Sequence, residues 1–489
     1  MILTMLVSLY TSRIVLNVLG VEDYGTYTIV GGVVSMFGFF NAAMASATQR
    51  FLSFELGKGD YLQLRKTFNA ALVIHIGIAL LIAILAETVG LWYINNYLNV
   101  PPDRMDAARW IYHFSILSFM VTVIQVPYNA TIIARERMNV YAYVSILEVL
   151  LKLLIVFMLT WIAFDKLKLY GVLIFGVTVI VALIYQIYTR KHFDETRFEV
   201  VKDKALFKTL ISFSGWSLFG NGALISSNQG ISLIINFFQG VVLNAAIGVA
   251  NQINGALYTF VANFQVAFNP QLIKTYAQNE IKNHTQLLLN SSRFSFFILL
   301  ILITPIILNT DYILLLWLKI VPDYSVSFTK IILISSLIDA LSGPFWTSAN
   351  ATGRIKYYQI GVSIILILNI PLTYIILKQG LSPNYVFISK LLLNSILYIF
   401  RVSYVNYFIK FDRKSVVEYV YKILLPIVFA FVPLYFLKNE LMISETLLNL
   451  FIVALISVIY TIIVVFLVGL TSNERKLLLS FGLIKIKSI

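Results

Sequence analysis

The chain has 489 residues, of which 59% are hydrophobic and only 12% are charged, and its formal net charge is +14. The charged share is about half that of an average soluble protein, so a soluble globular chain is excluded. With no cysteine and four scattered histidines, disulfides and thiolate metal sites are excluded and no metal cluster is expected.

Apolar segments of about 20 residues, long enough to cross ~30 Å of hydrocarbon, recur along the chain with short polar breaks. We predict fourteen membrane spans. They lie at residues 1–20, 26–49, 67–94, 110–134, 140–164, 170–189, 209–237, 246–271, 294–308, 325–350, 357–377, 385–408, 418–437 and 446–469. The first span carries Arg13 and no charged segment precedes it, which is not typical of a signal peptide, and one interpretation is a natural start upstream of Met1.

The lysines and arginines are unevenly distributed between the two sides of these spans. If the N-terminus is cytoplasmic, the inner loops and the C-terminal tail hold 25 of them, the outer loops seven and the spans five. Positive charge collects on cytoplasmic loops, so this bias predicts that both termini are cytoplasmic. The basicity therefore needs no nucleic-acid partner to explain it.

The span order predicts two six-helix bundles, at residues 1–190 and 209–410. A polar cytoplasmic linker at 191–208 separates them, and residues 411–489 form an appended transmembrane helix pair and cytoplasmic tail. Because six spans separate the bundles, they are expected to share one orientation and to be related by an axis along the membrane normal.

Residues 126–141 and 343–358 repeat each other at an offset of 217 residues. Pro127 matches Pro344, and Arg137 matches Arg354 at the end of an Ala-x-x-Arg turn. A repeat of this size in a membrane chain indicates two homologous bundles, the architecture of carriers that open a central cavity alternately to two faces. The two arginines are interpreted as equivalent topology anchors, with a latch of the inward-closed state as the alternative.

Charged residues inside spans are the sharpest functional signal, because an unpaired cation at a helix centre costs about 2.5–3.5 kcal/mol. The candidates for binding an anionic substrate are Arg13, Lys152, Lys390 and Arg401. Lys390, Asn394 and Arg401 fall on nearly one stripe of span twelve. Snorkelling to an interface is the alternative for Arg13, Lys390 and Arg401, and for Lys152 it is neutralisation by Glu148 one turn earlier.

Two acids and several amides complete the candidate set. Glu87 and Asp339 are interpreted as buried acids that bind H⁺ or Na⁺ to drive a cycle, the alternative being a partner such as Lys330 or an interhelical hydrogen bond. Asn221 and Asn228, seven residues apart in span seven, either bind sugar hydroxyls or join helices. His75 is predicted to be a hydrogen-bonded structural residue.

A known family shares several of these segments. The segments are Ser12-Arg13-Ile14-Val15-Leu16-Asn17-Val18-Leu19-Gly20-Val21-Glu22-Asp23-Tyr24-Gly25, Ala47-Thr48-Gln49-Arg50-Phe51 and the two Ala-x-x-Arg turns. With the 6 + 6 + 2 span order, the chain resembles the bacterial polysaccharide-unit flippases of the multidrug/oligosaccharidyl-lipid/polysaccharide exporter superfamily.

The resemblance implies an all-α, MATE-like fold in the bacterial inner membrane and a definite cargo. It implies flipping of an undecaprenyl-diphosphate-linked oligosaccharide from the inner to the outer leaflet by alternating access, for O-antigen, capsule or exopolysaccharide synthesis. It also implies membrane lipids, a polysaccharide polymerase and chain-length proteins as partners, and no cofactor beyond coupling to Na⁺ or H⁺.

Two other functions stay open. An organic-cation antiporter of the same fold would favour carboxylates and aromatic side chains in its cavity, whereas five cations face three acids inside the predicted spans. A membrane-embedded glycosyltransferase or polymerase needs acid, base or nucleophile groups on a substantial outer loop. The longest outer loops, 95–109 and 309–324, contain no convincing catalytic set, so a non-enzymatic flippase is the prediction.

Overall fold

The computed structural model of the chain is helical and contains no strand over the residues that it describes. These are residues 38–97, 102–161, 164–239, 241–318, 321–440 and 446–476, together with ten isolated positions between Thr11 and Val34. Within these ranges, nine helices are long and apolar enough to cross a membrane by length and composition. The predicted all-α membrane fold is therefore confirmed, and the described helices cover spans three to fourteen and span two from Gly38 onward.

The chain divides into two compact units, Met1–Asn221 and Gly222–Ile489. The first unit contains α1 (Gly38–Lys58), α2 (Tyr61–Leu85), α3 (Leu91–Tyr97), α4 (Met105–Ala134), α5 (Met138–Trp161), α6 (Lys166–His192) and the beginning of α7 (Lys204–Gln239). A π-helical turn, Ala86–Gly90, joins α2 to α3, and 3-10 turns lie at Pro102–Arg104 and Asp194–Thr196. Helix α4 packs against α1, α2 and α6, so its side chains form the centre of this unit.

The second unit contains the rest of α7 and ten further elements. These are α8 (Val241–Ala277), α9 (Ile281–Leu308), α10 (Thr310–Leu318), α11 (Ser325–Ala351), α12 (Ile355–Ile367), α13 (Asn369–Lys378), α14 (Asn384–Ile409), α15 (Arg413–Glu440), α16 (Leu447–Val464) and a π turn, Val465–Gly469. Helix α11 occupies the centre here, in contact with α8, α9 and α14. Its buried Phe328 and Phe345 belong to two hydrophobic clusters of the unit.

The repeated sequence at Pro127 and Pro344 forms the same structure in each unit. Helices α4 and α11 each contain the proline and end at Ala134 and Ala351, 217 residues apart. The turn that follows has a left-handed residue at the same offset, Glu136 at φ 60° and Gly353 at φ 74°. The next helices, α5 and α12, begin 217 residues apart as well. The duplication predicted from sequence is thus visible in the helix boundaries.

Span eleven is interrupted where span five is continuous. Helix α12 ends at Ile367 and α13 begins at Asn369, two residues before Pro371. Pro371 has no N–H to donate to the carbonyl four residues earlier, which is that of Ile367. Beside the break, the buried Asn369 side chain donates to Leu366 O at 3.1 Å. A break at this position is the outcome expected of a proline inside a span.

The segment predicted as a cytoplasmic linker is held against the first unit. The fully buried Asn69 of α2 donates to Arg197 O at 3.1 Å and accepts from Glu199 N at 3.0 Å. Arg135, at the end of α4, donates its Nε to the buried Glu195 carboxylate at 2.8 Å. Backbone groups that would otherwise need water are satisfied in this way, so the segment is part of the unit's structure.

Candidate functional site

Helix α14 carries three polar side chains on one face of the second unit. Lys390, Asn394 and Arg401 are four and seven residues apart in turn, which places them within about 40° of one another around the helix axis. Asn394 is buried, and Lys390 and Arg401 are half-buried. Within the predicted stripe, Asn394 therefore packs against other elements of its unit, whereas Lys390 and Arg401 stay partly accessible.

Lys390 is held by a neutral partner. Its Nζ donates to Asn228 Oδ1 of α7 at 3.0 Å. Among the described residues, no carboxylate forms an ion pair with this ammonium group. An amide orients the lysine without neutralising it, so among the described residues the nearby Asp339 carboxylate is what offsets its charge.

Asp339 of α11 is the acid of the cluster. The Asn394 side chain donates to Ser335 Oγ at 2.8 Å and to Asp339 Oδ1 at 3.5 Å, which joins α14 to α11. Lys390 and Arg401 both lie within electrostatic reach of the Asp339 carboxylate. One acid thus balances only one of the two cations, and the formal charge of the described cluster is positive.

Arg401 leaves one donor group unsatisfied by the described residues. Within the described part of the chain its buried Nε has no hydrogen-bond partner. Tyr258 of α8 and the fully buried Tyr358 of α12 lie within its electrostatic reach. A buried donor left without an acceptor costs about 1–3 kcal/mol, a cost that a bound anion would remove.

Together these side chains can bind a phosphate-like anion. A guanidinium group presents a planar fork that matches phosphate oxygens in two parallel bonds, and an ammonium group acts as a point charge. Asn394 and Asn228 add neutral amide groups beside the two cations. We call Asn228, Asp339, Lys390, Asn394 and Arg401 the cationic cluster.

A second polar feature, in the first unit, is uncharged. A cavity of about 160 Å³ between α1 and α4 is lined by the amides Asn41, Gln49, Gln125 and Asn129. Buried Asn41 Oδ1, Gln49 Nε2 and Asn129 Oδ1 have no hydrogen-bond partner among the described residues. Amide donors and acceptors of this kind are suited to hydroxyl groups rather than to charge.

The other predicted anion-binding residues do not join the cationic cluster. Lys152 Nζ lies 2.6 Å from Glu148 Oε1, so the two charges of α5 neutralise each other. Asn221 belongs to the first unit and donates to Ser217 O of its own helix at 2.8 Å. Arg13 lies outside the residues that the structure describes.

The structure contradicts the predicted burial of one acid and the alternative partner considered for the other. Glu87 is not buried: its side chain is 42% exposed, in the π turn after α2, and its Oε1 lies 2.8 Å from His113 Nδ1. Lys330 does not pair with Asp339 but with Asp311, at 3.1 Å. Nine residues separate Lys330 from Asp339 on α11, about two and a half turns, so the side chains point to opposite faces.

His75 has the structural role that its isolation predicts. It is 1% exposed, and its Nδ1 lies 2.7 Å from Ala71 O, one turn earlier on α2. The other ring nitrogen, Nε2, is buried and has no hydrogen-bond partner among the described residues.

Sequence reasoning missed Ser335 and a charged network in the first unit. Ser335 precedes Asp339 by one helical turn, a spacing that could have indicated a shared face. Arg104 donates to Asp23 Oδ1 at 2.7 Å and to Asp165 Oδ2 at 3.0 Å. These partners are 81 and 61 residues away in sequence, so no local spacing pattern could predict the contacts.

The Arg104 network changes the ionisation of Asp165. Burial alone would raise the pKa of this carboxyl group, but the Lys168 N–H, the hydrogen bond and charge of Arg104, and the Leu167 N–H together hold the pKa below its usual value of 3.8. The same carboxylate caps α6 by accepting from Leu167 N at 3.0 Å. Asp165 therefore both caps α6 and binds the Arg104 side chain.

Comparison with known proteins shows the fold. A family model, MatE, matches residues 1–158. An outward-facing multidrug resistance MATE transporter of the MOP superfamily has a TM-score of 0.67 at 14% identity, covering 83% of this chain and 92% of its own. A MATE structure in the bent conformation has a TM-score of 0.70 at 12% identity, covering 84% and 93%.

A third similar structure is a MOP superfamily transporter from Pyrococcus furiosus, for which the reverse polarity of the binding pocket suggests a different function. It has a TM-score of 0.65 at 14% identity and covers 83% of this chain and 92% of its own. No curated protein matches the chain. At these identities the likeness establishes the MATE transporter fold of a multi-pass membrane protein.

Proposed function

We propose that this protein is a flippase that moves an undecaprenyl-diphosphate-linked oligosaccharide from the inner to the outer leaflet of a bacterial plasma membrane, with both termini cytoplasmic. The observation that carries the proposal is the net positive charge of the cationic cluster. Lys390 is held by a neutral amide, and Arg401 keeps a buried donor without a partner among the described residues. An anionic cargo is the ligand that such a site favours.

The cargo has three chemical parts, and the described residues offer partners for two of them. The diphosphate matches Lys390 and Arg401, which can form charge-assisted hydrogen bonds to its oxygens. The sugar hydroxyls match the amide-lined cavity of the first unit, whose unpartnered donors and acceptors carry no charge. A protein that only binds and reorients this cargo needs no catalytic acid or base.

A second function, export of small organic cations, is favoured by the multidrug resistance transporter among the similar structures. In that function, the Asp339 carboxylate would bind the cationic drug. However, Lys390 and Arg401 both act on that carboxylate, so a cation would meet net repulsion in the cluster. The polarity of the site therefore favours the anionic cargo.

Transfer of a radiolabelled lipid-linked oligosaccharide between the leaflets of proteoliposomes tests the proposal. The wild-type protein should move the label, and Lys390→Gln should slow transfer at least roughly tenfold, because a hydrogen bond to a charged group is worth about 1.5–3 kcal/mol. Lys378→Gln is the matched control, since Lys378 is an exposed lysine in the last turn of α13 in the same unit. Its transfer rate should equal that of the wild type.

Two outcomes would overturn the flippase, and a third would overturn the role of its cationic cluster. One is efflux of organic cations by the same proteoliposomes with no movement of the lipid-linked sugar. Another is the appearance of new glycosidic bonds in the labelled product, which would indicate an enzyme. The third is equal transfer by Lys390→Gln and Lys378→Gln, which would remove the cationic cluster from the mechanism.

A further inference from the structure

A second polar cavity lies at the predicted cytoplasmic end of the second unit. Its volume is about 700 Å³, and its walls are the first turns of α9, the turn between α14 and α15, the beginning of α15, and Thr471 after the π turn. These segments are the ones that positive-inside bias assigns to the cytoplasm. None of the residues of the cationic cluster lines this cavity.

The cavity carries more positive than negative charge. Lys282, Arg293, Lys410 and Lys422 line it, together with Asp412 and Glu418. Arg293 is internal, because its side chain is 4% exposed and pairs with Glu474.

The two acids are only partly available to balance the remaining lysines. Asp412 accepts from Ser415 N at 3.2 Å, near the start of α15. Glu418 lies 3.6 Å from Lys422 Nζ, a loose ion pair. Lys282 and Lys410 are exposed and form no ion pair with a described carboxylate. With Arg293 paired to Glu474, three lysines and two carboxylates line the space, so its formal charge stays positive.

The surface beside the cavity is apolar. On α15, Val417, Tyr421, Leu424 and Val428 form an exposed stripe three to four residues apart, next to the face that carries Glu418 and Lys422. Predicted span thirteen begins here, so the cavity lies at the depth of the lipid headgroups and the stripe at the depth of the acyl chains. A soluble anion would use only the lysines, whereas a phospholipid would contact both surfaces.

We propose that this cavity binds the phosphate headgroup of an anionic phospholipid of the cytoplasmic leaflet. Lys282, Lys410 and Lys422 contact the phosphate oxygens, and the acyl chains lie along the apolar stripe of α15. Basic pockets between membrane helices on the cytoplasmic side have the charge and depth for this ligand class. The bound lipid ties the appended helix α15 to α9, so it acts on stability independently of the cargo.

Thermal unfolding of the purified full-length protein in detergent tests this site. Phosphatidylglycerol added to the micelles should raise Tm by several degrees more than phosphatidylcholine. Lys282→Gln and Lys422→Gln should each remove at least half of that difference, and Lys422→Arg should keep it. The control is Lys202→Gln, an exposed lysine of the linker segment in the first unit, which should behave as the wild type.

The remaining outcomes separate the possible ligands. Equal stabilisation by inorganic phosphate would show that the cavity binds free phosphate and would overturn the lipid assignment. Equal stabilisation by the two phospholipids, or a full effect in Lys282→Gln, would overturn the site. Because Lys282 is exposed, its substitution leaves folding intact, and unfolding without added lipid verifies this for each variant. The result does not depend on whether the protein flips a lipid-linked sugar.

Discussion

At the scale of single residues, the cationic cluster shows that the partner of a charge matters as much as the charge. Lys152 and Lys390 both lie in predicted spans, but Lys152 is paired with an acid and Lys390 with an amide. A paired cation has lost most of its attraction for a ligand, whereas an amide-bound cation has kept it. The pairing therefore separates a structural lysine from a candidate binding residue.

The packing around Gly343 leaves no room for a side chain. A Cβ at this position would lie 2.2 Å from Gln265 Oε1. The Gln265 amide donates to Ser295 Oγ at 3.1 Å and to Ala340 O at 3.0 Å, which joins α8 to α9 and α11. The matching position of the first unit is Val126, so the two halves are packed differently here.

We expect Gly343→Ala to lower the free energy of unfolding by about 1–3 kcal/mol, because the methyl group displaces an amide that makes two hydrogen bonds. Gly248→Ala on α8 is the control, since nothing lies within 4 Å of a Cβ there. In that exposed helix position alanine should be neutral or stabilising. Thermal unfolding in detergent compares the two, and equal Tm values would contradict the packing argument.

At the scale of elements, the linker segment illustrates how one buried amide can organise a loop. Asn69 makes hydrogen bonds to the backbone of both Arg197 and Glu199. Asn69→Ala should release the segment, and trypsin should then cleave at Arg197 and Lys202 at least about fivefold faster, since two lost bonds are worth about 1–3 kcal/mol.

The control for this proteolysis is Asn96→Ala. The Asn96 side chain is exposed and donates only to Trp92 O of its own helix, at 2.8 Å, among the described contacts. Its substitution should leave the cleavage rate of the linker unchanged. If Asn69→Ala is as resistant as the wild type, the segment is held by Arg135 and Glu195 rather than by the amide.

The cap of α6 should make stability depend on acid pH. Because the pKa of Asp165 is lowered in the folded protein, its contribution is present above the usual carboxyl pKa and is lost as pH falls through the lowered value. Asp165→Asn keeps an amide oxygen for the cap but loses the charge. The variant should be about 1 kcal/mol less stable at neutral pH, and the difference should shrink as pH falls below the usual carboxyl pKa of 3.8.

Unfolding midpoints of Asp165→Asn and wild type across pH 3–7 measure this effect. The Arg104→Gln background provides the comparison, because the glutamine no longer supplies the positive charge. There the pH dependence of the difference should be much weaker. A difference that stays constant with pH, or that is undiminished in the Arg104→Gln background, would contradict the assignment.

Element boundaries were predictable because membrane spans and their duplication leave strong local patterns. The offset between Pro127 and Pro344 predicted matched turns, and the left-handed residues Glu136 and Gly353 confirm them. The interruption at Leu368 was foreseeable only in part, since Pro371 indicates a kink without showing where the helix ends. The exposure of Glu87 was not foreseeable, because a π turn changes which way a side chain faces.

At the scale of the whole molecule, the fold followed from sequence more completely than the site did. Helical periodicity placed Lys390, Asn394 and Arg401 on one stripe, which the structure retains. Periodicity cannot say which helices are neighbours, so the contacts of Lys390 with Asn228, 162 residues away, and of Arg104 with Asp23 needed coordinates. The sequence pattern therefore predicted which side chains share a helix face, and only the structure showed which side chains of other helices contact them.

The positive cationic cluster has an energetic consequence for a carrier in an energised membrane. A membrane that is negative inside favours outward movement of an anion by about 2.3 kcal/mol per charge per 100 mV. If the cluster follows its cargo across the field, the loaded carrier with a diphosphate is anionic on the outward step, and the empty carrier is cationic on the return. The potential then drives both steps of the cycle in the productive direction.

This predicts that the membrane voltage alone can power the flippase. In proteoliposomes with a potassium gradient and valinomycin, an inside-negative potential should accelerate transfer to the outer leaflet, and the opposite potential should slow it, with no Na⁺ or H⁺ gradient present. A transfer rate that does not change with the membrane potential would mean that the charges of Lys390 and Arg401 do not move through the electric field. In that case the cluster would hold the diphosphate without carrying it, and the cycle would need an ion gradient.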